Sequence, residues 1–190
     1  MIKKERTTKE TSIVLELRVR GEGKAEINTG IGFFDHMLDA LSRHSGMDIN
    51  LKCKGDLHVD YHHSVEDVGI VLGEALKEAL FPVGAIERYG NARVVMDEAS
   101  VACDLDISNR PFLVYELNIQ DKIGDFDTEL VEEFFRALVF NAGLSVHLIE
   151  ARGKNRHHIV EAAFKAFAVA LRRALAPSTQ KGIPSTKGVL

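Results

Sequence analysis

The chain is expected to be an α+β protein, an internal duplication of a β-β-α-β-α unit forming a two-layer sandwich with its sheets covered on one face by helices. Three observations carry that expectation. Strand-like and helix-like segments follow the same order twice along the 190 residues. In each half a histidine pair followed by a glutamate opens an apolar helical run: Y-H-H-S-V-E-D with His62, His63 and Glu66, and R-H-H-I-V-E-A with His157, His158 and Glu161. Laying Gly46 on Gly143 puts Ile49 on Val146 and His36 on Glu133, and closing two residues in the next turn brings the histidine motifs into register. The chain therefore reads as a single domain, 1–190, of two pseudo-repeats at about 1–89 and 90–190. Two repeats are too few for a solenoid.

The elements follow in order. Thr11–Arg20 alternates Ile13, Leu15, Leu17 and Val19 with Glu16, Arg18 and Arg20, a half-buried strand. Gly21–Gly23 is a turn and Ala25–Asn28 a second strand. Phe33–His44 carries apolar residues at 33, 34, 37, 38 and 41, a helical stripe, and Met47–Lys54 alternates again. A helix from about Ser64 to Leu80 ends the first half, closed by Pro82 and Gly84. In the second half Arg93–Ile107 and Phe112–Ile119 read as strands separated by S-N-R-P. Thr128–Asn141 reads as a helix, Leu144–Ala151 as a strand and Ile159–Leu175 as the last helix, before a tail of Gly, Pro, Ser and Thr.

Composition narrows the function. A net charge of −4 gives no global basic surface, so neither nucleic acid nor a membrane is an expected partner. No apolar run reaches the 18 or so residues that span a bilayer. Cys53 and Cys103 are too few and too far apart for a disulfide framework, which suits a reducing cytoplasm. The first residues, M-I-K-K-E-R-T-T-K-E-T, contain no apolar signal core.

The histidine motifs carry the chemistry. Imidazole with carboxylate is the donor set of a borderline-to-hard divalent metal. Residues i and i+4 share a helix face, so His62 and Glu66 can hold one ion and His157 and Glu161 another. Adjacent residues diverge, so His63 and His158 cannot join the ion held by their own neighbour. Two metals with crossed ligands are the economical arrangement: His62 and Glu66 with His158, and His157 and Glu161 with His63. The pseudo-symmetric third pair adds His36 to the second site and Glu133 to the first.

Several stretches together resemble the imidazoleglycerol-phosphate dehydratase family of histidine biosynthesis. They are T-G-I-G-F-F-D-H-M-L-D, G-D-L-H-V-D-Y-H-H-S-V-E-D, M-D-E-A, N-R-P, G-K-N-R-H-H-I-V-E-A-A-F-K-A-F-A and P-S-T-K-G-V-L, in order over essentially the whole chain. Family members have His or Glu at the place of Glu133. The resemblance implies two Mn2+ per active site, a homo-oligomeric shell of 24 subunits with active sites between them, and a small phosphorylated imidazole as substrate. It also implies the reaction, D-erythro-imidazoleglycerol 3-phosphate to imidazoleacetol phosphate. The substrate ring is held as an imidazolate between the metals and expels the adjacent hydroxyl to give a diazafulvene, which acidifies the neighbouring carbon.

Site roles follow from the same resemblance. Glu10 matches a substrate-contacting glutamate and is expected to act as general acid/base. His44 is expected beside it among the catalytic residues. His36, His62 and His157 are expected to meet substrate as well as metal. Arg88, Arg110, Lys165, Ser185, Thr186 and Lys187 match substrate contacts and suit a phosphate oxyanion. A similar P-S-T-Q-K-G lies upstream at 177–182; the later copy is the one that runs into K-G-V-L. Asp35 flanks His36 and could orient ligand or substrate, while Asp97, Glu98 and His147 have no role assignable from sequence. Two other classes remain: a two-metal hydrolase of a phosphorylated small molecule, and a metal-stapled assembly protein without turnover.

Overall fold

The structure is a computed structural model that describes residues 1–179, 182, 184–188 and 190. The first half runs β1 (Ile2–Thr7), β2 (Thr11–Arg18), β3 (Ala25–Asn28), α1 (Gly32–Ser45), β4 (Asp48–Gly55) and α2 (His62–Leu80). The second runs β5 (Tyr89–Met96), β6 (Ala99–Ile107), β7 (Phe112–Glu116), β8 (Lys122–Ile123), β9 (Phe126–Asp127), α3 (Glu129–Ala142), β10 (Leu144–Arg152) and α4 (Arg156–Ala174). The two main sheets have matching orders, β1-β2-β4-β3 and β5-β6-β10-β7, each with its last pair parallel and the others antiparallel. The duplicated α+β unit is therefore present in both halves, and each carries one further strand at the sheet edge.

Those edge strands account for two departures from the sequence reading. No element was assigned to residues 2–7 from sequence; they form β1, which pairs in register along β2 from Ile2↔Leu17 to Thr7↔Ser12. Four of the six residues of I-K-K-E-R-T are charged, as suits a strand at an edge, where charge also discourages pairing with another chain. The segment Arg93–Ile107, expected as one strand, is the hairpin β5–β6 turning at Asp97 and Glu98. Asp97 takes φ 49°, a left-handed conformation that Asp tolerates better than most residues. Β7 also stops at Glu116 rather than Ile119.

Helix boundaries have local causes. Helices α1 and α3 both end on a glycine in the left-handed conformation, Gly46 (φ 77°) and Gly143 (φ 70°). Gly46 and Gly143 are the landmarks on which the repeats align. Helix α4 is capped by Asn155, whose side chain accepts from the His157 and His158 N–H groups at 3.0 and 3.4 Å. Helix α2 begins at His62, two residues earlier than expected, with the His62 N–H bonded to Asp60 Oδ1 at 2.8 Å.

In each sheet one face is buried and the other open, as Ile13, Leu15 and Leu17 against exposed Val14 and Arg18 show on β2. The helices cover the buried faces and meet each other across the halves, α1 on α4 and α2 on α3. The resulting core is continuous from sheet to sheet and includes the fully buried Phe34, Phe134, Phe135, Phe164 and Phe167. Where β5 crosses α4, Gly90 lets two backbones meet: an added Cβ would stand 1.9 Å from Ala170 O and 2.8 Å from Ala174 N. Gly90→Ala should cost about 1–3 kcal/mol by overpacking, a fall of roughly 3–10 °C in thermal midpoint. An unchanged midpoint in a scanning calorimeter would mean that strand and helix can separate at no cost.

Candidate metal centre and active site

Parallel packing of α1 and α4 brings His36 onto the first turn and a half of α4. The ligand atoms of His36, His157 and Glu161 all lie within 4.8 Å of one another, the one such trio among the described residues. Glu161 Oε2 is 3.1 Å from His157 Nε2 and 3.5 Å from His36 Nε2, while its Oε1 meets Lys165 Nζ at 2.7 Å. Its side chain is only 7 % exposed. Burial pushes the Glu161 carboxyl up, but Lys165 and the two imidazoles outweigh it and the net shift is downward. The carboxylate is therefore held ionised between two imidazoles and an ammonium.

The equivalent corner on α2 is more open. His62 Nε2 lies 3.7 Å from Glu66 Oε2, with both side chains more than two-fifths exposed. Glu133, on α3, is half-buried. Helix α2 packs on α3 where Gly69 faces the backbone of Phe134 and Leu138 and Gly73 that of Leu138 and Ala142. His63 and His158 do not reach across to the other half's corner within one chain. Each ring turns away from its neighbour, the ring centres lying 6.3 Å apart in both pairs. Instead His63 Nδ1 meets Asp56 at 3.0 Å, and His158 Nδ1 meets Glu98 at 2.7 Å. These carboxylates raise both imidazoles above their ordinary value, against a smaller opposing effect of burial. The crossed trios expected from spacing thus do not close among the described residues of one subunit, because helical divergence turns each second histidine away from its neighbour and toward Asp56 or Glu98.

The remaining site residues fall in two places. Glu10, in the β1–β2 turn, has Oε1 3.7 Å from His63 Nε2, and Asp97, in the β5–β6 turn, has Oδ2 3.7 Å from His158 Nε2. His44, in the last turn of α1, is pushed below its ordinary value by burial and then by Lys165 and Arg172, so it is a neutral imidazole near neutral pH. Asp35 Oδ1 turns back to accept from the Thr29 N–H (2.9 Å) and hydroxyl (2.5 Å), which fixes the entry of α1 rather than facing the imidazoles. His147 stands on the open face of β10, in register with Asp104.

Arg88, Arg110 and the tail gather at the other end of α4. The Arg88 guanidinium is buried and donates through Nε and Nη2 to both oxygens of Asp106 (2.7 and 3.1 Å) and through Nη1 to Pro184 O (2.6 Å). Arg110 Nη2 is 3.7 Å from the same Asp106. Ser185 starts a turn in which its Oγ accepts from the Lys187 N–H at 3.2 Å and its carbonyl from Gly188, leaving Thr186 and Lys187 exposed. Val189 of the tail motif, and Gln180 and Lys181 of its upstream copy, lie outside the described residues. The Arg88 N–H bonds to Ala174 O at the end of α4, whereas His158 is in its first turn. Sixteen residues of helix separate them, about 24 Å. So one chain holds imidazole-carboxylate corners at one end and a basic, hydroxyl-bearing cluster at the other. Asp56 and Asp106 were missed from sequence; Asp56 lies inside the quoted G-D-L-H-V-D motif and Asp106 on the open-facing phase of β6, but neither position announces a partner.

The family model for imidazoleglycerol-phosphate dehydratase matches residues 29–171, which span both corners. The chain belongs to that family. It is 67% identical over 190 residues to the imidazoleglycerol-phosphate dehydratase of Aliarcobacter butzleri, covering 100% of each chain. Crystal structures of the imidazoleglycerol-phosphate dehydratases of Staphylococcus aureus and Pyrococcus furiosus superpose with TM-scores of 0.83 and 0.85 at 42% identity. They cover 93% and 98% of this chain, and 98% and 100% of their own. As a member of the imidazoleglycerol-phosphate dehydratase family the chain is a hydro-lyase, and it shares that family's duplicated α+β fold. No helix among the described residues is long and apolar enough to cross a membrane.

Proposed function

We propose that the chain dehydrates D-erythro-imidazoleglycerol 3-phosphate to imidazoleacetol phosphate in histidine biosynthesis, using two Mn2+ per active site, as a cytoplasmic homo-oligomer of 24 subunits. The observation that carries this reading is the full-length similarity to curated dehydratases. The donor set supports the metal. His36, His157 and Glu161 offer two imidazoles and an ionised carboxylate within one ion's reach, which suits a borderline-to-hard divalent cation. His62, Glu66 and Glu133 would form the second corner, and His63 and His158, turned away from the ligands of their own helix, would complete the corners of neighbouring subunits. Bound there, Mn2+ would act as a Lewis acid and a template for the substrate's ring.

The chain's own residues would do the rest. Arg88, Arg110, Ser185, Thr186 and Lys187 would hold the phosphate, with Lys187 and Arg110 its exposed cations, and Lys165, which stands beside Glu161, would meet the substrate from the metal side. Since the basic cluster lies about 24 Å from the histidine end of its own helix, the two ends of one substrate would meet residues of different subunits. Glu10, beside His63, would move the proton at the carbon next to the departing hydroxyl. His44, held neutral, can accept or donate at the ring. The substrate's ring would then pass through a diazafulvene, and the resulting enol would become the ketone.

The test is an assay of the manganese-loaded protein with imidazoleglycerol phosphate. The expected product is a ketone that keeps its phosphate, with turnover lost on chelation and restored by Mn2+. Release of inorganic phosphate would instead identify a hydrolase, and metal uptake without any product an assembly protein. Chelation should also shrink the particle seen by light scattering, since ligands from several chains couple metal to assembly.

A further inference from the structure

We infer that Glu98 and Asp56 are positioning residues that set the ring tautomer of His158 and His63, so that each imidazole offers a bare Nε2 to a metal ion. The inference deepens the two-metal reading above and rests on it. In both halves the second histidine of the pair has Nδ1 against a carboxylate, at 2.7 Å for Glu98 and at 3.0 Å for Asp56. An ionised carboxylate only accepts, so Nδ1 must carry the proton. In the neutral ring Nε2 then keeps its lone pair and can be a ligand.

The two carboxylates reach their histidines from unrelated places. Asp56 follows β4, whereas Glu98 sits in the β5–β6 hairpin, 60 residues from His158. The duplicated helix start thus has the same ring orientation built twice by different means. A shared ancestral contact does not explain that; a shared demand on the ring does. Glu98 is itself fixed: its Oε1 accepts the N–H groups of Asn155 (2.7 Å) and Lys154 (3.1 Å), which leaves Oε2 for His158. Two backbone N–H groups and the imidazole thus all meet this carboxylate, which serves as their acceptor.

This difference in tethering yields a discriminating experiment. In Glu98→Gln the amide oxygen should stay with the two backbone N–H groups, and the amide nitrogen would then face His158 Nδ1. That nitrogen donates, so the ring must take the Nε2–H tautomer, which has no lone pair at Nε2 to offer a metal. Asp56 has both oxygens directed at His63 (3.2 and 3.0 Å). In Asp56→Asn the amide is free to turn its oxygen to Nδ1 and keep the original tautomer.

Two readouts are needed. Nitrogen-15 NMR of histidine-labelled, metal-free protein, above the imidazole titration range, reports the tautomers directly. Wild type should show Nδ1–H at both rings, Glu98→Gln should convert His158 alone, and Asp56→Asn should convert neither. Electron paramagnetic resonance of free Mn2+ gives affinity: Glu98→Gln should weaken one of two ions about 10–100-fold, with little change in Asp56→Asn and an unaltered thermal midpoint of the metal-free protein. Nε2–H at His158 in wild type, or two ions bound by Glu98→Gln with wild-type affinity, would overturn the inference. If wild type bound no Mn2+ at all, the two-metal reading would fall, and the NMR spectrum would still decide the tautomers.

Discussion

Glu161→Gln should abolish turnover while leaving the fold nearly intact. The change is isosteric, but it removes the one charge that His36, His157 and Lys165 share at 3.5, 3.1 and 2.7 Å. An amide is a poor ligand for a hard cation, and its NH2 group would face either an imidazole nitrogen or the Lys165 ammonium. A metal's Lewis-acid contribution is several kcal/mol, so kcat should fall on the order of a thousandfold, even at saturating substrate. Metal content should drop from two ions per chain toward one. Plasma mass spectrometry with steady-state kinetics on the same preparation checks both. Two ions retained with normal kcat would remove Glu161 from the site, and the trio with it.

Arg88→Ala should be the most destabilising single change at the opposite end. It strips Asp106 of its bidentate partner and Pro184 O of its donor, leaving a half-buried carboxylate with Arg110 at 3.7 Å as its nearest cation. Breaking a buried ion pair from one side costs about 3 kcal/mol or more. Arg88 also has φ 68°, where any residue with a Cβ is strained. Arg88→Gly should therefore recover about 1 kcal/mol of the loss. Urea unfolding of the two variants separates the guanidinium from the backbone. Because Pro184 is no longer anchored, the segment with Ser185 and Lys187 should loosen in both variants, and KM should rise roughly tenfold or more. Equal stability of wild type and Arg88→Ala would show that Asp106 needs no partner.

The sequence made some of this legible and hid the rest for identifiable reasons. Periodicity is local, so the helices carrying the histidine pairs and the repeat itself, with Gly46 laid on Gly143, could be read directly. The hairpin at Asp97–Glu98 was hidden because apolar residues run on through Val94, Val95, Met96, Ala99 and Val101 on both sides of it. Strand β1 was hidden because an edge strand needs almost no apolar residues, and Ile2 is its only one. The grouping of His36 with His157 and Glu161 followed from matching the repeats, but its distances depend on how α1 crosses α4. Glu98 on His158 and Arg88 on Asp106 join residues far apart in the chain, and no spacing rule links them. The division of one chain into two distant chemical ends was equally invisible, because it depends on which end of α4 each strand meets.

The core that runs unbroken between the two sheets bears on the origin of the molecule. Neither half encloses its own apolar surface, since α1 is covered by α4 and α2 by α3. A free-standing ancestor of one half would have exposed a helix layer rich in Phe, Leu and Val to water. The simplest cover for such a surface is a second copy of itself, related by a twofold axis. The gene fusion would then have made that pairing covalent. Once the copies were joined, each was free to diverge: where one half keeps His36 the other has Glu133, and where one uses Asp67 bonded to Arg6 and Thr11 the other has the apolar Ala162 at the matching helix position. A symmetric pair cannot make such unequal choices, so the two corners became free to specialise only when they ceased to be copies.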